Sequence, residues 1–466
     1  MSDAQPSTTT TTIITSIAPG EVPAEPLAAP TVTRAYQCQC GRPVFLRNSR
    51  CLACQTPLGF VVERLGVVPL APVEGSEQFT VFGDGGGPRY VRCANFMSAS
   101  GCNWMVPAEA VEGEVPGNAA AHGLLPGMCL ACSTTLTIPD QSVPENPQRW
   151  NRLEQAKRRL ISQLLALGLP VVTRVTDPEH GLAFDFLSEM PGLPVLTGHA
   201  GGTITLNVAE ADDALREQVR AQMGEPYRTL LGHFRHEIGH YYWDILVAPR
   251  EDWLAAFRDL FGDERADYAA ALQKHYQEGP QPDWATQFVS SYAGAHPWED
   301  WAETWAHYLH MADTADTALS FGVNALKVEI GEDDLFNADD LWQPDHPEAG
   351  HFLDFLNGWV RLTHVLNEFA RSMGQHDTYP FALPHAVVRK LQFIHQLVLH
   401  QREGGVPAGP SVTTAPGTTQ DHAVAPGDDA APLPGAGAPA AGAPAPANEA
   451  VAATAPAPAS APLEGR

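Results

Sequence analysis

The stretch Thr229-Leu-Leu-Gly-His-Phe-Arg-His-Glu-Ile-Gly-His-Tyr-Tyr-Trp-Asp244 contains H-E-x-x-H as His236, Glu237 and His240. Apolar Leu230, Leu231, Phe234, Ile238, Tyr241, Tyr242 and Ile245 recur at helical spacing with no proline before Pro249, which predicts a buried helix. Residues four apart on a helix stand one above the other, so both imidazoles can reach one metal ion. Catalytic zinc takes three protein ligands and keeps one position open, and a carboxylate beside that position can take a proton from the bound water. The motif supplies two ligands and a base, and it lacks a third ligand.

Only part of the 466 residues reads as foldable. Residues 403–466 are rich in Ala, Pro, Gly and Thr without an aromatic side chain, and residues 1–34 include a threonine run from Thr8 to Thr12. Neither segment can bury enough apolar surface to offset its ordering entropy, so both are expected to be disordered. A formal charge of -26, from 54 acidic and 28 basic residues, argues against nucleic acid and against an anionic membrane surface as partners. The start Met1-Ser-Asp-Ala-Gln-Pro6 lacks the basic and apolar regions of a secretory leader, and no apolar run reaches membrane-spanning length. The expectation is a soluble, cytoplasmic protein.

All the cysteines precede residue 133, at Cys38, Cys40, Cys51, Cys54, Cys93, Cys102, Cys129 and Cys132. Without an oxidising compartment they read as zinc ligands rather than disulfides. Cys38, Cys40, Cys51 and Cys54 form one four-thiolate set in a ribbon over residues 35–62. Cys129 and Cys132, completed by Cys93 and Cys102, form a second over residues 85–137, with His122 a substitute ligand and a cross-braced pairing left open. The stretch shows little apolar core of its own, so zinc binding there is expected to supply much of the folding energy.

Residues 148–402 read as one large domain. A basic amphipathic helix is predicted from Trp150 to about Leu167, its Arg152, Lys157, Arg158 and Arg159 forming a solvated face. Strands are predicted at Pro170 to Arg174, Ala183 to Leu187 and Gly202 to Val208, the last able to offer an edge to an extended peptide. Helices follow at Trp253–Leu260, Arg265–Gln277, Trp284–Tyr292, Trp298–Ala312, His351–Met373 and His385–Gln401. On the helix from Trp298, Glu299 and Glu303 stand one turn apart, so one acid can ligate while the other holds the outer nitrogen of a ligating histidine. His296, His307 and His310 are lesser candidates, and Asp244 could at most support a ligand.

Gly224 to Asp244, together with Arg92-Cys-Ala-Asn95, Cys102-Asn-Trp-Met-Val106 and Ser372-Met-Gly-Gln375, resembles the bacterial zinc-binding metallopeptidases that carry an amino-terminal zinc ribbon. The likeness covers roughly residues 36 to 400. The order of motifs is also similar to that of the gluzincins. That resemblance implies Glu299 as third ligand, Glu303 as the group orienting a ligating histidine, and Tyr292, seven residues before Glu299, as the phenol that stabilises an oxyanion. The fold class expected is α+β: a mostly helical, zincin-like domain behind zinc-ribbon modules, with disordered termini. The function expected is hydrolysis of a peptide or protein substrate, with Glu237 as base, one catalytic zinc and two structural ones. A zinc-ribbon binding module with a weak or inactive zincin domain is the alternative.

Overall fold

The computed structural model describes residues 32–111, 123–190, 195, 197–223, 227–328 and 335–404. His122, Gly224 to Pro226 and nearly all of the two segments expected to be disordered lie outside the described residues. The fold is mixed α+β, and among the described residues no helix is long and apolar enough to cross a membrane.

The cysteine-rich part begins with a hairpin of β1 (Tyr36–Gln37) and β2 (Pro43–Val44). An antiparallel meander follows: β3 (Leu58–Val61), β4 (Gly66–Pro72), β5 (Phe79–Val81), β6 (Tyr90–Arg92) and β7 (Met105–Pro107). The amide of Phe60 donates to the carbonyl of Asn103 at 3.0 Å, returning the chain from just before the last strand to the first. Two sequence expectations fail here. The ribbons are not separate modules, because β3 of the first expected ribbon and β6 and β7 of the second lie in one sheet, linked through β4 and β5. The stretch also has an apolar core: Leu58, Phe60, Val67 and Trp104 are buried, and Phe60 stacks on Trp104 with centroids 4.2 Å apart. Each strand is too short to display a periodicity, but five of them side by side close off an interior.

After the short helix α1 (Leu130–Ser133) comes β8 (Thr135–Thr137), which lies within the expected second ribbon yet pairs in parallel with β9 (Ala183–Leu187) of the large domain. The four-stranded sheet runs β10-β11-β9-β8, where β10 (Gly198–Ala200) is an antiparallel edge to β11 (Thr203–Asn207). The expected strand Pro170 to Arg174 reduces to a single bridge from Thr173 to Leu182. A turn from Thr173 ends it, and the Arg174 guanidinium bonds carbonyls of that loop.

Helix α2 (Asn146–Ala166) corrects the reading of its basic side as solvated. Lys157 and Arg158 are buried. Lys157 bonds Glu154 and Thr135, Arg158 donates to the Ser100 carbonyl at 2.9 Å, and Arg159 meets Asp313 at 2.7 Å. These cations join α2 to the ribbon, to β8 and to the helix carrying Asp313. Arg34, expected in the disordered start, is buried and meets the same Asp313 at 2.9 Å, so the chain is tied to the large domain before the first cysteine.

The remaining helices are α3 (Asp213–Met223), α4 (Leu230–Tyr242), α5 (Glu251–Phe261), α6 (Tyr268–Glu278), α7 (Trp284–Gln287), α8 (Pro297–Ser320), α9 (Ala349–Ser372) and α10 (His385–Glu403). Helix α4 lies between the sheet, where Phe234 meets Phe184 and Phe186, and α8, where Tyr242 stacks on Trp305. Phe234, Ile238, Trp301 and Trp305 are all wholly buried, Phe234 and Ile238 each worth about 1.5–3 kcal/mol by a side-chain burial scale. This core fixes α4 against α8, and both carry the candidate site.

Candidate metal centre

The Thr229 hydroxyl caps α4 by accepting from the amide of Gly232 at 3.0 Å, which sets the start of the helix and the direction of its side chains. Pro297 opens α8, and Nδ1 of His296 caps it by accepting from the amide of Trp298 at 3.1 Å. The two helices approach closely at Gly239, where an added Cβ would lie 3.1 Å from Cα of Ala302. The Trp301 indole donates to the Gly239 carbonyl at 2.8 Å. A glycine inside the motif therefore lets the α4 histidines reach the α8 carboxylates.

His236, His240 and Glu299 each offer one ligand atom within 4.8 Å of the others. Oε2 of Glu299 lies 3.1 Å from Nε2 of His236 and 3.8 Å from Nε2 of His240. Ligands held 2.0–2.1 Å from a tetrahedral zinc stand about 3.3 Å apart, so this spacing suits that ion. Nδ1 of His236 is taken by Oε1 of Glu303 at 2.7 Å, and Ser290 donates to Oε2 of Glu303 at 2.6 Å. With Nδ1 facing Glu303, His236 turns Nε2 toward a carboxylate oxygen. That buried oxygen, Oε2 of Glu299, has no hydrogen-bond partner. Two imidazole nitrogens and a carboxylate oxygen converging in a buried pocket suit a cation, and the residues present fit zinc.

Electrostatics agree with the geometry. Burial pushes the His240 pKa down to about 3, which keeps its imidazole neutral, the form that binds metal. Burial opposes charge on His236 as well, but Glu299 and Glu303 override it and hold its pKa well above the usual value, so the pocket attracts positive charge. The Glu299 carboxyl, despite burial, is held down at about 2 by His240 and His236. Glu237 is 8% exposed, and burial, opposed in part by His236, pushes its carboxyl up to about 7.

Tyr292 lies against His236 with ring centroids 6.1 Å apart. It reaches the site because α7 stops at Gln287, where Phe288 turns extended, rather than running on to Tyr292 as the sequence suggested. Ser290 comes in on the same loop. Asp244 does not touch the centre's histidines; its carboxylate faces Nδ1 of His199 at 3.8 Å. His307 and His310 are engaged by Tyr379 and Arg235, and His296 spends its ring on the α8 cap.

One participant escapes a reading of the sequence. The Tyr268 hydroxyl, at the start of α6, donates to Oε1 of Glu299 at 2.6 Å. It lies 31 residues before Glu299, beyond any helical repeat that could signal the pairing.

The eight thiols gather into two groups, Cys38 with Cys40, Cys51 and Cys54, and Cys93 with Cys102, Cys129 and Cys132. Sulfur pairs stand 3.5 Å (Cys38 and Cys54), 3.8 Å (Cys40 and Cys51) and 3.6 Å (Cys102 and Cys129) apart. Four sulfurs 2.3 Å from a tetrahedral zinc would be about 3.8 Å apart, so both cages suit zinc.

Residues 146–397 match the family described as "Putative zinc-binding metallo-peptidase". The chain belongs to that family. Within this metallopeptidase family its cysteine-rich part, residues 35–143, matches a zinc-ribbon domain as a single unit, in agreement with the shared sheet. Zinc is thus supported by both family descriptions and by the two four-cysteine groups. Relatives from Mycobacterium bovis and Mycobacterium tuberculosis, described as uncharacterized proteins, are 42% identical over 368 residues, covering 78% of this chain and 95% of theirs. No solved structure matches the chain.

Proposed function

We propose that this family member is a zinc-dependent peptidase in which His236, His240 and Glu299 hold the hydrolytic zinc and the eight cysteines hold two structural zinc ions. The observation that carries the reading is the convergence of two Nε2 atoms and one unpartnered carboxylate oxygen, with Glu237 buried on the helix that carries both histidines. A zinc ion held by His236, His240 and Glu299 would supply Lewis-acid polarisation of a carbonyl and activation of water, as in metal-assisted hydrolysis generally. Glu237 takes the proton of the attacking water on its carboxylate and returns it to the leaving amine. A base held near neutrality suits both transfers. Glu303 keeps the His236 proton on Nδ1, so Nε2 stays free to ligate. Tyr292 donates from its hydroxyl to the oxygen that gains charge during attack.

The substrate proposed is an extended peptide. Among the described residues β10 has no strand on its outer edge, and His199 on it lies 6.5 Å, ring to ring, from His240. A peptide paired to that edge would run past the metal, its main chain supplying hydrogen bonds. Digestion of a broad peptide library tests this, using the full chain loaded with zinc, stripped by chelator, and reloaded. Cleavage that disappears and returns with zinc is the expected result. No cleavage by a fully loaded chain would favour a zinc-ribbon binding module over a peptidase.

A further inference from the structure

We propose that Tyr268 is a positioning residue of the metal centre: its hydroxyl fixes Glu299 so that a single oxygen faces His236 and His240, and it ties the order of helix α6 to metal occupancy. This rests on reading His236, His240 and Glu299 as a metal site. Glu299 has two oxygens with different partners. Oε1 takes the Tyr268 hydroxyl at 2.6 Å, while Oε2 faces the two Nε2 atoms at 3.1 and 3.8 Å. With Oε1 engaged by the hydroxyl, Oε2 is the oxygen that would be offered to an ion between the two histidines.

The second half of the proposal comes from how α6 is attached. None of its residues, Tyr268 to Glu278, is buried. It is bracketed by Gly262 at φ +105 and Gly279 at φ +79, and an added Cβ at Gly279 would meet nothing within 4 Å. At both positions the backbone lies where other residues sit only under strain. Toward the centre, α6 extends Tyr268, edge-on to His296 and Trp298 and bonded to Glu299, and His275, whose ring lies 5.9 Å from that of Tyr292. A helix with so little burial opens locally at small cost; its first turn is held by the Asp267 cap, whose side chain accepts from the Ala270 amide at 3.0 Å, and by the Tyr268 hydrogen bond to a carboxylate. Linkage then makes the effect reciprocal: by whatever factor the hydroxyl strengthens metal binding, a bound ion strengthens the contact that holds α6.

Two measurements on the full chain test this. The first is a competitive zinc titration of the parent and Tyr268→Phe with both cysteine sites filled. Loss of a hydrogen bond that orients a ligand lowers metal affinity about 10- to 100-fold, so the variant should bind the third zinc that much more weakly while retaining the two cysteine-bound ions. The second is amide hydrogen exchange over residues 268–278, with and without the third zinc. In the parent, zinc should slow exchange there by up to the same factor, and in Tyr268→Phe that slowing should vanish. A parent that binds only two zinc ions would overturn the metal site on which this rests. A third zinc bound equally well by parent and variant would overturn the positioning role alone. Exchange over α6 that ignores zinc in the parent would overturn the coupling, with no need for the variant to fold.

Discussion

Glu303 offers a graded test of the centre, because its two oxygens have separate partners: Nδ1 of His236 at 2.7 Å and the Ser290 hydroxyl at 2.6 Å. Glu303→Gln keeps an acceptor for the Nδ1 proton and removes the charge. A hydrogen bond to a charged group contributes about 1.5–3 kcal/mol against about 0.5–1.5 for a neutral pair, so the expected loss is about 1 kcal/mol, roughly fivefold in zinc affinity. Glu303→Ala removes the acceptor and frees the imidazole to turn, which should cost about 10- to 100-fold, or about 1.4–2.8 kcal/mol. The Glu303 side chain is 21% exposed, so water partly replaces the lost partner and the lower half of that range is expected. Glu299→Ala differs in kind, since it removes a ligand. The assay is competition against a chromogenic chelator with the cysteine sites filled. The reasoning fails if Glu303→Ala releases the third zinc outright while Glu299→Ala keeps it.

Other substitutions probe the frame. Gly239→Val places a branched side chain where Cβ alone would lie 3.1 Å from the Ala302 backbone, so it should destabilise the fold by about 1–3 kcal/mol in chemical denaturation and weaken the third zinc, because it pushes α4 from α8. Lys390→Met leaves the buried Asp300 carboxylate without its partner at 2.6 Å, which should cost about 3–5 kcal/mol at pH 8. Burial already pushes the Asp300 carboxyl up to about 6, so stability linked to its protonated form is present at low pH and lost as pH rises through that value. The deficit of Lys390→Met against the parent should accordingly be smaller at pH 5 than at pH 8. Under chelator, the His236, His240 and Glu299 site should empty before the cysteine sites, since an open position gives a competing ligand a foothold; mass spectrometry of the intact chain over time follows the order.

What the sequence revealed about the site came from repeats within single helices. The spacing of His236 and His240, and of Glu299 and Glu303, is one helical turn, and that period survives in a string of letters. Cysteine spacing is equally local. Contacts made across the fold left no such trace. Tyr268 meets Glu299 because the first residue of α6 lies against the start of α8, and Ser290 meets Glu303 because α7 ends early. The basic face of α2 looked like a solvated stripe, since its partners Ser100 and Asp313 lie far away in sequence. The meander through both ribbons was hidden for another reason: strands of three to seven residues are too short to show alternation, and their core forms only when all of them pair.

The central claim is that Glu237 moves the proton in a zinc-dependent peptide hydrolysis. Its most direct test is the cleavage rate of one peptide, taken from the library digestion, by the parent and by Glu237→Gln at equal, measured zinc occupancy. The amide preserves the shape of the side chain and is a poor base, so the variant should keep its zinc and cleave about 10²- to 10⁴-fold more slowly. Equal rates at equal zinc occupancy would contradict the assignment.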